Sequence, residues 1–208
     1  APGCGKGTQA RILKEKTHIC HLSTGEMLRE YAAQDTPLGR DLKALLDKGE
    51  FATDEMIIEM VRNRIGQPDC ERGFILDGFP RTLPQAEVLE SLLAEKGIKL
   101  TCVLEIQVPD EIIMERILGR YSCLKCGAGY HDKFQKPKVY GVCDVCGGTE
   151  FGRRKDDNRA TVQNRLVNYR LLTYPTIPFF EKRGLLRTVD GTGTIEAVSN
   201  KIDEILGI

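Results

Sequence analysis

The residues with the clearest chemical potential stand at the start of the chain. Ala1-Pro2-Gly3-Cys4-Gly5-Lys6-Gly7-Thr8 is a glycine-rich segment that leads into a helical pattern. Backbone N–H groups and a lysine in such a segment form a cradle for a polyphosphate. A loop of this type follows a buried parallel strand, and we expect residues upstream of Ala1 to supply that strand at the centre of a sheet. The segment therefore predicts the binding of a phosphate chain.

A second chemical group consists of two Cys-x2-Cys pairs. Residues 127–142 lie between the pairs, and a glycine follows each pair. Zn²⁺ favours four tetrahedral thiolates, and the glycine lets the backbone turn closely around the sulfur atoms. No ligand position is left for water, which predicts a structural metal; two disulfides are the alternative. The ligand candidates are Cys123, Cys126, Cys143 and Cys146. We expect His131 to form a hydrogen bond or to lie near a nucleotide base, because a fifth ligand is unnecessary.

Four further cysteines are scattered along the chain, at Cys4, Cys20, Cys70 and Cys102. They lie in or beside strand-like and loop segments, where a free cysteine packs as a small apolar residue. We expect no chemistry from them, with one exception. Cys4 has a reactive alternative, because thiols near helix N-termini are acidified.

The composition excludes some partners. The 30 basic and 30 acidic residues cancel, so no global field favours nucleic acid or an anionic membrane. None of the printed residues forms a charged-then-apolar leader or an apolar stretch long enough to span a bilayer. A chain of 208 residues can bury one good core with small inserted subdomains. Any basic site must therefore be local.

Helical and strand patterns alternate along the chain, which predicts an α/β fold with a parallel sheet covered on both faces. Ser23-Thr24-Gly25-Glu26 is a capping box that opens one helix, and Thr53 caps another. Residues 23–52 form a helical insert, and residues 121–153, rich in Gly, Lys, Tyr and Cys, form a β insert pinned by metal. We expect strands at 17–22, 73–77, 102–108 and 185–190, and helices at 8–16, 110–120, from Pro37 to near Gly49, and from Ile195 onwards.

Several arginines flank these features. Arg116 and Arg120 lie four residues apart and share one helix face. Arg81 follows the acid-ended strand, Arg154 closes the β insert, and Arg165 lies on the next helix. One such arginine is most often a solvated surface residue. A set of them around a phosphate loop suits phosphoryl transfer, whose transition state is stabilised mainly by positioned cations and Mg²⁺.

Together the motifs resemble those of the adenylate kinases, of the long-lid, zinc-containing bacterial type. The resemblance rests on segments 2–10, 22–29, 73–85 (GFILDGFPRTLPQ) and 153–158, in the family's order over essentially the whole chain. It implies a three-layer P-loop fold and the reaction of ATP and AMP to two ADP, with Mg²⁺ on the nucleotide and a structural Zn²⁺. It also implies a cytoplasmic monomer without nucleic-acid or membrane partners. The implied domains are a core of 1–22, 53–118 and 158–208, an AMP-binding insert at 23–52, and a lid at 119–157 with Asp156 and Asp157 at its hinge.

The resemblance also implies roles for individual residues. The implied catalytic residues are Lys6, Arg81, Arg120, Arg154 and Arg165. The implied ATP site comprises Gly3, Cys4, Gly5, Lys6, Gly7, Thr8, Arg116, Arg120, Gly129, Tyr130 and Gly193. The implied AMP site comprises Thr24, Arg29, Glu50, Phe51, Ala52, Gly78, Phe79, Pro80, Arg81, Gln85, Arg154 and Arg165, with Gln85 on the adenine edge. Asp77 would organise the waters of Mg²⁺. Because Cys4 replaces the family's usual small residue, we expect its alkylation to slow turnover and bound ATP to protect it.

Three other functions stay open. UMP/CMP kinases share the loop and the DGFPR segment, but their lids are short and lack cysteine pairs, and Thr82 favours AMP. An AMP kinase that uses GTP is closer, because backbone atoms make most contacts to the donor base. A zinc-ribbon nucleic-acid-binding ATPase would combine both motifs, yet it should carry a basic, aromatic-bearing stripe and a net positive charge.

Overall fold

The computed structural model of the protein describes residues 1–48, 50 and 52–208. The implied AMP contact Phe51 and the expected helix end near Gly49 lie outside the described residues. The helices are α1 (Lys6–Thr17), α2 (Thr24–Ala32), α3 (Pro37–Lys48), α4 (Asp54–Ile65), α5 (Leu83–Glu95), α6 (Asp110–Leu118), α7 (Arg159–Asn168), α8 (Thr176–Glu181) and α9 (Ile195–Leu206). A 3-10 turn (Pro68–Cys70) precedes β2, and a π-helical segment (Tyr169–Thr173) follows α7. The strands are β1 (Cys20–Ser23), β2 (Phe74–Asp77), β3 (Val103–Gln107), β4 (Arg120–Cys123), β5 (Gly129–His131), β6 (Phe151–Gly152) and β7 (Leu186–Asp190).

The core strands pair in parallel, as the alternation of helix and strand predicts. β1 pairs with β2, and β3 pairs with β7, as two separate two-stranded sheets of the described residues. In the first sheet Ser23 lies opposite Asp77, so both carboxyl ends meet at one edge. The strand expected upstream of Ala1 stays a prediction. In the β insert, β4 pairs antiparallel with both β5 and β6.

The first core strand begins later than the expected 17–22. Helix α1 continues through Thr17, whose hydroxyl donates to the Leu13 carbonyl oxygen at 2.6 Å. His18 then ends the helix in the left-handed region, with φ 57°. The strand expectation for residues 17–19 was wrong because the helix extends one residue further than the apolar pattern indicates and His18 then forms its C-cap.

Apolar packing holds the helices against both strand pairs. The largest cluster contains Leu42 of α3, Val61 of α4 and Leu89 of α5, each nearly inaccessible to solvent. Smaller clusters lie between β3, β7 and α9, and between α6 and α7. Burial of each such side chain contributes about 1.5–3 kcal/mol. Among the described residues, no helix is both long and apolar enough to cross a bilayer.

The N-terminus of α1 lacks the side-chain cap that most other long helices have. Side-chain oxygens cap α2, α4, α5, α7 and α9, through Ser23, Thr53, Thr82, Asn158 and Thr194 respectively. The residue before α1 is Gly5, which has φ 100° and no side chain to offer. No side-chain oxygen of Gly5 therefore competes with an external acceptor for the first amide groups of α1.

Candidate active site

The glycine loop and the end of β2 approach each other closely. Lys6 is the first residue of α1, and its Nζ donates to the Ala1 carbonyl oxygen at 3.2 Å. A Cβ atom at Gly7 would lie 3.2 Å from Asp77 Oδ2. That contact is tight, so glycine at this position lets the strand-end carboxylate reach the first turn of α1. The loop thus brings helix amides, a lysine and a carboxylate to one place.

Asp77 is held in its ionised form. Burial raises its pKa, but the hydrogen bond from His21 and the charges of Lys6 and Arg81 outweigh burial and leave the pKa lowered. His21 Nε2 lies 3.4 Å from Asp77 Oδ2, and both side chains are largely buried. An ionised carboxylate beside a phosphate loop is the group that Mg²⁺ or its waters would contact.

Five arginines face the same space. One of them, Arg120, begins β4, so the expectation that it shares a helix face with Arg116 was wrong, because α6 ends at Leu118. Burial lowers the pKa of Arg29. The charges of Asp156 and Glu26 raise this pKa, those of Arg120 and Arg165 lower it, and it remains below its ordinary value. Burial also lowers the pKa of Arg81, with Arg165 and Arg29 adding to the effect. Arg154 retains an exposed surface, yet desolvation, followed by Arg120 and Arg29, lowers its pKa to about 10. The guanidinium groups stay charged at pH 7 and repel one another, and an anion bound among them would relieve that repulsion.

Two aspartates partly balance this positive charge. Asp157 accepts two hydrogen bonds from Arg120, at 2.5 and 2.6 Å. Asp156 accepts from Arg165 and is itself buried. Burial raises the pKa of Asp156, but the charge and hydrogen bond of Arg165 and the charge of Arg29 lower it overall. Arg120 and Arg165 are therefore held in place by acids at the exit of the β insert.

The start of α2 and the start of α5 form the other side of the site. Thr24 Oγ1 donates to the Gly78 carbonyl oxygen at 2.9 Å, and Arg81 Nε donates to the same oxygen at 2.8 Å. Gln85 Oε1 accepts from Arg81 N–H at 2.7 Å, and Gln85 Nε2 donates to Asp54 Oδ1 at 2.7 Å. Because a carboxylate only accepts and a backbone N–H only donates, these partners fix which end of the Gln85 amide is which.

A cleft of about 2310 Å³ connects the loop, the arginines and the β insert. The cleft also extends between the two strand pairs. Lining the cleft therefore does not by itself distinguish a nucleotide-binding residue from a residue of the core. Tyr130 uses its hydroxyl group within the β insert, where the hydroxyl donates to Cys143 Sγ and accepts from Asp144 N–H. The predicted residues that line the cleft are Gly3, Cys4, Gly5, Lys6, Gly7, Thr8, Thr24, Arg29, Glu50, Ala52, Asp77, Gly78, Phe79, Pro80, Arg81, Gln85, Arg116, Arg120, Gly129, Tyr130, Arg154, Arg165 and Gly193.

The four paired cysteines form a compact cluster in the β insert. Their sulfur atoms all lie within 4.8 Å of one another. The distances from Cys123 to Cys146 and from Cys126 to Cys143 are both 3.6 Å. A tetrahedral zinc with Zn–S bonds of about 2.3 Å requires sulfur separations of about 3.8 Å. The hydrogen bond from Tyr130 lowers the pKa of Cys143 to about 6, which favours the thiolate that a metal needs. The donor set fits zinc.

His131 has a structural position between the β insert and α6. Its Nδ1 accepts from the backbone N–H groups of Lys133 and Phe134 at 3.0 and 3.2 Å. Its Nε2 lies 3.1 Å from the Glu115 carbonyl oxygen, so the tautomer with hydrogen on Nε2 satisfies every partner. The expected hydrogen-bonding role is confirmed. Gly119 has no room for a Cβ because this ring lies against it.

Comparison with known proteins gives the same family over nearly the whole chain. A family model described as adenylate kinase matches residues 1–185. The adenylate kinase of Paramagnetospirillum magneticum is 51% identical over 205 residues, which cover 99% of this chain and 94% of the relative. This chain belongs to the adenylate kinase family.

Two further adenylate kinases match equally well. That of Rhizobium rhizogenes is 52% identical and that of Carboxydothermus hydrogenoformans 51% identical, each over 205 residues. Both alignments cover 99% of this chain and 95% of the relative. The P-loop α/β fold and the membership of the nucleoside monophosphate kinases are therefore as the motifs predict.

Sequence reasoning missed three side chains of this adenylate kinase site. His21 holds Asp77, Asp54 holds Gln85, and Arg11 of α1 donates to the Gly127 carbonyl oxygen of the β insert at 3.0 Å. His21 lies two residues before Ser23, on the same face of β1, so the parallel register could have indicated it. The other two contacts join segments that no local pattern relates.

Proposed function

We propose that this chain catalyses the reversible transfer of a phosphoryl group from ATP to AMP. The convergence of five arginines and Lys6 on one cleft carries this proposal. A transferring phosphoryl group needs positioned positive charge and little covalent chemistry. The arginines come from α2, the β2–α5 loop, β4, the end of the β insert and α7, so they can surround a group that lies between two nucleotides.

The two nucleotides are assigned to opposite sides of the cleft. The loop from Gly3 to Thr8 would hold the ATP phosphates on the uncapped amides of α1, with Lys6 following the transferring group. Arg29 and Arg81 would hold the phosphate of AMP. Arg120, Arg154 and Arg165 would stabilise charge on the oxygens in transfer, while Arg116, the backbone of Gly193 and the segment at Gly129 would lie near the ATP base.

Asp77 would hold Mg²⁺ through bound waters. Its lowered pKa favours the ionised form, and its place beside the first turn of α1 would set it next to the phosphates. When bound, Mg²⁺ supplies charge neutralisation on the phosphate oxygens. Zinc would be held by the four cysteines of the β insert, where it stabilises the fold and leaves no position for a substrate.

The preference for adenine in the acceptor rests on the fixed amide of Gln85. With Asp54 and Arg81 N–H on one side, the amide has one N–H and one oxygen lone pair left. These match the ring nitrogen and amino group of adenine. Guanine presents a donor and an acceptor in the reverse order, so it would need a flipped Gln85 amide. The flipped amide would place its oxygen against the Asp54 carboxylate and its NH₂ against Arg81 N–H. Thr24, Gly78 and the segment from Phe79 to Pro80 would line the same subsite, with the backbone of Glu50 and Ala52 over the base.

Residues 23–52 would close over AMP and residues 119–157 over ATP, which keeps water from the transferring group. The remaining residues, 1–22, 53–118 and 158–208, would form the core to which both segments are attached. We place the enzyme in the cytoplasm as a monomer that binds ATP, AMP and ADP.

A coupled assay tests the acceptor and the donor together. AMP, GMP, CMP and UMP are compared as acceptors, with ATP and GTP as donors, on the zinc-loaded protein. We expect ATP with AMP to be preferred over ATP with GMP by at least about 100-fold. Asp54→Asn should reduce that preference about tenfold, because the introduced amide can partner either orientation of Gln85. Glu55→Gln, an exposed neighbour on α4, is the control. Equal turnover of UMP would contradict the proposal.

A further inference from the structure

A polar cluster lies at the end of the β1–β2 pair that is opposite the active site. Cys20 is the first residue of β1, and Cys70 ends the 3-10 turn that precedes β2. The two sulfur atoms and a carboxylate oxygen of Asp69 lie within 4.8 Å of one another. Both cysteines pack in the largest apolar cluster, as expected, and they make these polar contacts in addition.

Arg64 of α4 connects all three groups. Its Nη2 donates to Cys20 Sγ at 3.1 Å, and its Nη1 donates to Cys70 Sγ at 3.2 Å. Asp69 fixes the guanidinium through bonds of 2.7 and 2.6 Å. The guanidinium holds both sulfur atoms beside one carboxylate, which also accepts from Cys20 Sγ at 3.2 Å. It also opposes a metal ion at this place, because its own positive charge already lies against every candidate ligand.

The two cysteines have different surroundings. Cys70 is 3% exposed, and burial together with the neighbouring thiol of Cys20 raises its pKa to about 12. Cys20 retains solvent-accessible surface. A small oxidant can therefore reach Cys20 first. Cys70 remains a thiol, and its sulfur lies close enough to react with the oxidised Cys20 Sγ.

We propose that Cys20 and Cys70 are a redox pair that a hydroperoxide converts to a disulfide. The Cys20 thiolate attacks one oxygen of hydrogen peroxide, the O–O bond breaks, and the leaving hydroxide takes a proton to become water. Cys20 is then a sulfenic acid. The Cys70 sulfur attacks Cys20 Sγ, the S–O bond breaks, and the leaving hydroxide combines with the proton of the Cys70 thiol. Two thiols are oxidised, and one peroxide is reduced to two waters.

The disulfide would link the two ends of a long chain segment, residues 21–69, which contains α2, α3 and α4. A cross-link of this length constrains the unfolded chain and raises the melting temperature, by about 5–10 °C for a protein of this size. Turnover should change less than about twofold, because Ser23 and Asp77 lie at the opposite ends of the two strands.

Peptide mapping tests the pair in the zinc-loaded, reduced protein. Limiting hydrogen peroxide is added, free thiols are alkylated, and non-reduced peptides are identified by mass. We expect the peptides that contain Cys20 and Cys70 to be joined to each other, with the rise in melting temperature reversed by a dithiol reductant. Cys70→Ser should instead accumulate a sulfenic acid at Cys20 that a carbon nucleophile traps.

Two arginine variants on α4 separate chemistry from fold. Arg64→Gln should slow disulfide formation at least about fivefold. Arg62→Gln removes a cation on the same helix, 3.5 Å from Glu95, and should leave the rate unchanged. Recovery of both cysteines as free thiols in oxidised wild-type protein, or linkage of either one to Cys4 or Cys102, would overturn the proposal. So would a second bound zinc that Cys20→Ser and Cys70→Ser both abolish.

Discussion

Two segments that the sequence predicts as inserts border the same cleft, and they are stabilised in opposite ways. The helical insert, residues 23–52, packs Leu28 and Leu42 into the largest apolar cluster of the protein. The β insert, residues 121–153, has a cluster of its own around Cys123, Tyr130 and Cys143. Its strands are two to four residues long, too short for a large buried surface. One segment depends on the core, and the other on sulfur atoms that fit a metal.

This contrast bears on whether a segment can move without losing its shape. A segment that shares the main core is stabilised only while it remains packed there. A segment with its own cross-link can keep its internal structure while its contacts with the rest change. Exposed side chains in the β insert, such as Val139, Tyr140 and Val145, show how little apolar surface it buries.

Loss of the metal should have the largest effect on this comparison. We expect Cys143→Ser, or chelation of zinc, to lower the melting temperature by more than about 10 °C, because the β insert has no other cross-link among its described residues. Cys102→Ser, at a cysteine outside the paired cluster, is the control. Calorimetry with zinc analysis measures both. Equal melting of zinc-loaded and zinc-free protein, or an intact mass that shows two disulfides in place of one ion, would remove the distinction between the inserts.

A cavity in the helical insert should have the next largest effect. Leu42 is 2% exposed in α3, and Leu42→Ala should lower the free energy of unfolding by about 3 kcal/mol. Lys43→Ala, at the exposed neighbour, should change it by less than about 0.5 kcal/mol. Urea unfolding is measured with and without chelator. If chelation changes the cost of Leu42→Ala by more than half, the two inserts share one source of stability.

A smaller effect should arise from the charges between the exit of the β insert, α7 and α2. Asp156 pairs with Arg165 and faces Arg29 of α2, and its pKa is lowered in the folded protein. Its contribution is present above the ordinary aspartate pKa of about 3.9 and is lost as the pH falls through the lower folded value. Asp156→Asn should therefore cost about 2 kcal/mol at pH 7 and progressively less below about pH 4. Urea unfolding across pH checks this. A cost that is constant with pH would show that the ion pair contributes nothing.

The smallest effect should come from the contact of α1 with the β insert. Arg11→Gln removes a hydrogen bond to the Gly127 carbonyl oxygen that is worth about 1 kcal/mol or less. Amide exchange at residues 127–131 should become faster, while global unfolding stays unchanged. Lys14→Gln, exposed on the same helix, is the matched control. Unaltered exchange in Arg11→Gln would mean that this contact does not hold the β insert against α1.

The sequence predicted the parts of this molecule that local patterns encode. The capping residues Ser23 and Thr53, the cysteine spacing and the glycine loop each specify a short-range geometry, and the structure has them in place. Contacts between distant segments were not predictable in this way. Neither the hold of Asp54 on Gln85 nor the cluster of Arg64 with Cys20 and Cys70 follows from periodicity, because each depends on how separate helices and strands pack.

Phosphorus NMR of the zinc-loaded protein with Mg²⁺, ATP and AMP follows the phosphoryl transfer itself. We expect two ADP to appear for each ATP and AMP consumed, with no release of inorganic phosphate, and Arg81→Ala to slow the exchange by at least about 1,000-fold. Release of inorganic phosphate from ATP while AMP remains unconsumed would contradict the proposed transfer to AMP.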